Sequence, residues 1–182
     1  VLDRLDYAEI AKHPKLFIGY SDITALHAAL TQYSNIVTIH GPMLTSFKAE
    51  YSDYTAKNFA EGLRNTQAPG VVPLPQGAAM QTLIPGKAEG TIIGGNLTII
   101  NSLVGTPYAI DGRGKLLFIE EVGESPYRID RALQQLWQSG LLQQVNGIVY
   151  GEFYLAANHR IGHDTQFKYL IAFWAKFSFT AV

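Results

Sequence analysis

The sequence predicts an α/β protein, and three observations carry that expectation. Short runs rich in β-branched and aromatic residues alternate with runs at helical spacing, the pattern of layered sheet and helix. Strand-like runs pass directly into helix-like ones at Gly19-Tyr20-Ser21 and Gly94-Gly95-Asn96. A stretch over 66–88, punctuated by Pro69, Gly70, Pro73, Pro75, Gly77, Pro85 and Gly86, reads as a domain junction. The expected division is 1–70, a linker over 71–88, and 89–182. A length of 182 residues, 47% hydrophobic and 16% charged, suits one domain or two small ones.

Taken in order, Leu16–Tyr20 reads as a buried strand feeding a helix from Asp22 to Gln32, with Ile23, Leu26 and Leu30 as its inward stripe. Ile36–Ile39 is a second strand, closed by Gly41-Pro42. Ser52 is placed to cap a helix that runs to Leu63. Gly90–Ile93 reads as a strand, Asn96–Leu103 as a helix, and Lys115–Ile119 as another strand. Ser125-Pro126 opens a long helix to Ser139, with proline at the favoured first position. Ile129, Leu133, Leu136 and Trp137 make its apolar face, and Gly140 suits its end. Val145–Phe153 is a final strand.

Composition removes several functional classes. Lys+Arg is 14 against Asp+Glu 15, so no basic surplus exists to hold a phosphate backbone, and nucleic acid is not an expected partner. The apolar runs are far too short to span a bilayer, and no secretory leader is visible. Without cysteine there is no disulfide, thiolate nucleophile or cysteine metal site. The chain opens at Val1 inside what reads as a folded segment and closes on an aromatic run ending at Val182, which predicts a piece of a longer protein.

Five groups of residues are candidates for chemistry. Ser21 sits where a strand turns sharply into a helix, a place that lifts a hydroxyl clear of the sheet beside the first helical amides. Those amides and the helix dipole favour an oxyanion, with the N–H of Asp22 as first donor. Ile23 stands where the hydrolase elbow G-x-S-x-G has its last glycine, and a plain helix cap explains Ser21 and Asp22 equally. Glu120 and Glu121 close a hydrophobic strand, where a carboxylate can orient a histidine, or simply mark an exposed strand end. Gly95 and Asn96 occupy a turn that admits close backbone approach to a ligand or serves the turn itself. The histidines, His13, His27, His40, His159 and His163, form no ligand pair of the H-E-x-x-H kind, so no metal is expected. Arg128 and Arg131 are candidates for a substrate carboxylate, though surface ion pairing suits them better.

The ordered segments Phe17–Leu26, His40-Gly41-Pro42-Met43, Glu89–Leu97, Gly105-Thr106-Pro107-Tyr108 and Phe118–Arg131 resemble the LD-carboxypeptidase family of serine peptidases, which includes the microcin C self-immunity proteins. The resemblance covers about residues 1–153. It implies an N-terminal α/β domain, a C-terminal β-rich α/β domain and a catalytic site between them. It implies Ser21 as nucleophile, Glu120 as triad acid and the Asp22 N–H as part of the oxyanion hole; Gly95 and Asn96 stay candidate substrate contacts from their turn alone. It further implies no cofactor, a muropeptide substrate, a cytoplasmic setting and a homodimer. The family's histidine follows a later strand ending in Gly-His; His163 comes too soon after Gly151 to take that role. Three functions stay open: release of terminal D-alanine from murein tetrapeptides, cleavage of an aminoacyl-nucleotide antibiotic, and a non-catalytic piece lacking its base.

Overall fold

Parallel pairing organises the strands. The computed structural model describes residues 1–47, 52–65, 67, 70–72, 74–155 and 170–171. In chain order these form α1 (Tyr7–Lys12), β1 (Ile18–Gly19), α2 (Ile23–Tyr33), β2 (Ile39–His40) and α3 (Asp53–Arg64). Then come β3 (Thr91–Asn96), α4 (Leu97–Leu103), β4 (Lys115–Glu124), α5 (Pro126–Gln138), α6 (Leu141–Gln144) and β5 (Gly147–Leu155). Among the described residues β1 pairs with β2, and β3, β4 and β5 form a second parallel sheet in that order. Parallel neighbours require a crossover. The segment carrying α4 connects β3 to β4, and the α5–α6 pair connects β4 to β5. The protein is therefore of the mixed α/β class.

Local chemistry accounts for the helix boundaries. The Ser52 hydroxyl accepts from the Thr55 N–H at 3.2 Å, capping α3 as expected. Pro126 stands in the first turn of α5, and Gly140 follows that helix at φ +86°, a conformation that suits glycine. On α5 the buried stripe is Ile129, Ala132, Leu133 and Leu136, with Trp137 packed beside it. These side chains meet Leu97 and Ile100 of α4 and Leu117 and Ile119 of β4 in one core. Each such fully buried side chain contributes roughly 1.5–3 kcal/mol. Ala28 of α2 belongs to the same core, so the N-terminal segment packs directly on the β3–β5 sheet.

Several expectations are corrected. The first strand is Ile18–Gly19, not Leu16–Tyr20: Leu16 is 64% exposed and Tyr20 38%. The second strand is Ile39–His40, later than Ile36–Ile39. On α2 the buried residues are Thr24, His27, Ala28, Ala29 and Leu30, so only Leu30 of the expected stripe is buried. The face is turned because Thr24 and His27 have polar partners inside, and two alanines allow close packing. Strand β4 runs on through both glutamates to Glu124 rather than ending before them. The short helices α1 and α6 were not foreseen. No described residue from 70 to 90 lies in a helix or strand. No described helix is long and apolar enough to cross a membrane.

Candidate active site

Ser21 leaves β1 in a left-handed conformation, φ +60°, which few residues other than glycine adopt. Such a residue stores roughly 1–3 kcal/mol of strain and persists only where surroundings impose it. Neither Ser21 nor Asp22 caps α2: Asp22 occupies the N-cap position with no side-chain capping bond. The first turn is closed instead by backbone bonds from Ile23 N–H to Tyr20 O (3.2 Å), Thr24 N–H to Ser21 O (2.9 Å) and Ala25 N–H to Asp22 O (3.2 Å). Ser21 and Asp22 are both exposed. A hydroxyl is thus held outside the sheet at a helix N-terminus by a strained turn.

One helical turn on, the Thr24 hydroxyl oxygen accepts the backbone N–H of Asn96 at 3.0 Å. Asn96 ends β3 and is paired in register with Glu120. A short chain of contacts therefore runs from the Ser21 turn to Glu120. The space between the two segments is tight, because a Cβ on Gly95 would lie 2.5 Å from Thr24 Oγ1 and 3.1 Å from His40 Nδ1. A Cβ on Gly94 would come closer still, 2.0 Å from the Phe118 carbonyl oxygen on the adjacent strand. Only glycine fits at either position, and both hold positive φ.

Side chains alternate across a strand, so Glu120 and Glu121 face opposite ways. Glu121, 3% exposed, turns toward α4. Its Oε1 accepts from Asn96 Nδ2 (2.9 Å) and Val122 N–H (2.8 Å), and its Oε2 from the Thr98 N–H (2.9 Å) and hydroxyl (2.7 Å). It is a buried anion bound at a helix N-terminus, and its lone pairs are taken. Glu120 turns the other way, toward an open cavity of about 400 Å³ lined by Tyr20, His40, Pro42, Phe118, Glu152 and Tyr154 among others. Burial, and then the Glu121 charge, push its carboxyl above the usual range, while Asn96 opposes this. Register shifts between Ile119 and Glu121 mark a bulge beside Glu120, and a Cβ on Gly151 would come within 3.3 Å of the Glu120 Cβ.

His40, for which the sequence suggested no role, lies at the centre of this arrangement. Its Nε2 is 3.8 Å from Glu120 Oε1, and its ring packs against Phe118 at 5.5 Å and His27 at 6.1 Å. Burial, and then His27, hold its pKa below the ordinary histidine value. The only sequence signal was its place in the His40-Gly41-Pro42-Met43 segment. Of the other candidates, Gly95 and Asn96 back the site: Asn96 is 8% exposed, with its amide on Glu121 and its carbonyl oxygen accepting from Ile99 N–H. Arg128 lies 3.6 Å from Glu124, and Arg131 sits over the Tyr127 ring, so both are engaged at the surface. His13 pairs with Glu9 at 3.1 Å, away from the site. His159 and His163 lie outside the described residues.

The chain is similar to several known proteins. A family model described as the LD-carboxypeptidase C-terminal domain matches residues 89–178, and one described as the N-terminal domain matches 1–41. A probable murein peptide carboxypeptidase of Bacillus subtilis is 43% identical over 152 residues, 82% of this chain and 47% of that protein. The solved muramoyltetrapeptide carboxypeptidase from Oxalobacter formigenes superposes with a TM-score of 0.71 at 29% identity, over 95% of this chain and 58% of that one. The MccF-like protein from Bacillus anthracis gives 0.79 at 31% identity, over 94% and 58%. The chain spans about half the length of the curated relatives it matches. Matched by both domain models, and 43% identical to a curated relative over 82% of its own length, the chain belongs to the LD-carboxypeptidase family.

Proposed function

We propose that the protein carrying this chain is a serine carboxypeptidase that cleaves the L,D peptide bond of murein tetrapeptides and releases terminal D-alanine, within cytoplasmic cell-wall recycling. The observation that carries this reading is Ser21, strained at φ +60° at the start of α2 and linked through Thr24 and Asn96 to Glu120. In this reading the Ser21 Oγ attacks the scissile carbonyl carbon and its proton passes to a histidine. The Asp22 N–H donates to the developing oxyanion, because the next three amides already serve carbonyls of the turn. The amine of D-alanine leaves with the proton, and water then hydrolyses the acyl-enzyme. Glu120 orients and stabilises the imidazolium.

The histidine base is assigned to none of the described residues. His40 turns Nε2 toward Glu120 and Nδ1 toward Gly95, and a triad base needs one nitrogen free for the serine. His27 is hydrogen bonded to a backbone carbonyl. By resemblance to the family, the base is expected downstream of β5. The test is D-alanine release from an LD-tetrapeptide by the full-length protein. Ser21→Ala is expected to abolish it, and retained turnover would refute the assignment.

A second reading rests on the cavity. Aromatic rings of Tyr20, Phe118 and Tyr154 line it, and no lysine or arginine does among the described residues. Rings suit a nucleobase, as in a microcin C-type immunity peptidase acting on an aminoacyl-nucleotide. Identity to the murein enzyme supports the first reading, and comparing turnover on both substrates separates the two.

A further inference from the structure

Behind the elbow lies a histidine that the proposed mechanism does not use. His27 is 5% exposed, and its Nε2 lies 3.0 Å from the carbonyl oxygen of Gly19, the last residue of β1. A carbonyl only accepts, so Nε2 carries the proton, and in the neutral ring that burial favours Nδ1 does not. Nδ1 is buried and has no hydrogen-bond partner among the described residues. A buried polar atom without a partner costs free energy, roughly 1–3 kcal/mol, that an apolar ring of similar shape would avoid. That cost offsets what the Nε2 bond to Gly19 contributes to stability.

The Gly19 carbonyl already receives the Gly41 N–H at 3.0 Å from the neighbouring strand. The imidazole adds a second bond, reaching back eight residues from the helix that Ser21 opens. It ties the two sides of the turn together: Gly19 before Ser21, and the second turn of α2 after it. Phe17 and His40 hold the ring in place, with centroids at 5.6 Å and 6.1 Å. A left-handed serine needs such external restraint, since its own preference is to relax toward negative φ.

We propose that His27 is a positioning residue for the nucleophile, its Nε2–H latching the end of β1 to α2 so that Ser21 leaves the strand in the attacking direction. The proposal rests on Ser21 being the nucleophile. It predicts a loss in the chemical step with little change in substrate binding, because the histidine lies behind the turn.

The test uses His27→Phe and His27→Gln in the full-length protein, together with nitrogen-15 NMR of wild-type imidazoles. Phenylalanine fills the space and leaves the Gly41–Gly19 bond intact, so a folded protein with an undiminished Tm is expected. Its kcat should fall about 10-fold or more, with KM within about 2-fold, a loss of roughly 1.4 kcal/mol of transition-state stabilisation. Glutamine, whose amide N–H can reach the position of Nε2, should restore most of kcat. NMR should show His27 as the Nε2–H tautomer. Wild-type kcat in a folded His27→Phe protein overturns the proposal, as does an Nδ1–H tautomer or a His27→Gln variant no better than phenylalanine. If the wild type does not turn over tetrapeptide, the carboxypeptidase reading fails, and the tautomer measurement still decides whether the latch exists.

Discussion

Glu120 and Glu121 are adjacent in sequence, and replacing each with glutamine should damage different properties. Glu121 accepts four hydrogen bonds, two on each oxygen, at 2.7–2.9 Å. In Glu121→Gln one oxygen becomes an NH2 group. On the Oε1 side it would face two donors, from Asn96 and Val122. On the Oε2 side the Thr98 hydroxyl can turn to accept from it, but the Thr98 N–H remains opposed. One part-buried backbone donor at the start of α4 then loses its acceptor, which costs about 1 kcal/mol. Glu121→Ala removes the whole acceptor set, leaving neutral donors from Asn96, Thr98 and Val122 unpaired, and should cost about 2–4 kcal/mol. Against a total stability of roughly 5–15 kcal/mol these losses are large. Glu120→Gln should do the reverse. Burial and the Glu121 charge already disfavour its anion, so neutralising it leaves the fold as stable or more so at neutral pH. Turnover should fall on the order of 10³–10⁴-fold, as for the acid of a triad. Urea unfolding followed by circular dichroism, with D-alanine release measured on folded protein, reads both effects. A Glu121→Gln protein with an unchanged midpoint, or a Glu120→Gln protein with full turnover, would refute this division of roles.

Further outcomes follow from the same contacts. Ser21→Gly should abolish turnover yet raise the unfolding free energy by about 1 kcal/mol, since glycine accepts φ +60° without strain; an unchanged or lower midpoint contradicts a strained elbow. Gly95→Ala should cost more than about 2 kcal/mol by forcing Thr24 away from Asn96, whereas Gly105→Ala, also at positive φ but in open space, should cost only about 1 kcal/mol; equal midpoints would contradict the close approach. Burial lowers the pKa of His27 below 6.5, so protonating it opposes folding, and stability falls as pH drops from 6.5 through the folded pKa. His40 faces it and acts in the same sense, while the raised Glu120 pKa behind His40 acts in the opposite one. The urea midpoint of His27→Phe should therefore fall less between pH 6.5 and pH 5 than that of the wild type, and parallel curves would show that His27 does not titrate on unfolding.

Sequence periodicity located most elements because the β3–β5 sheet and α5 follow simple rules. Ile129, Leu133 and Leu136 repeat at helical spacing and are buried where that spacing puts them. The same logic misplaced the inner face of α2. Thr24 and His27 count as polar in any pattern, but they are buried because Asn96 N–H and Gly19 O, far away or behind, supply their partners. Ser21 was legible from its strand-to-helix setting, and its positive φ is information that only coordinates carry. The separate fates of Glu120 and Glu121 were implicit in the two-residue period, yet the sequence did not reveal which face met a helix. His40 stayed unassigned because its partner Glu120 lies 80 positions away, a proximity set by register between elements and invisible to local pattern.

Whether Ser21 and Glu120 act in one site is tested directly by a double-mutant comparison. D-alanine release is measured for Ser21→Ala, Glu120→Gln and the combined variant in the full-length protein. Groups that work as a unit lose little more together than the worse single loss. A double variant no slower than Ser21→Ala alone is expected; losses that multiply would place the two residues in separate functions.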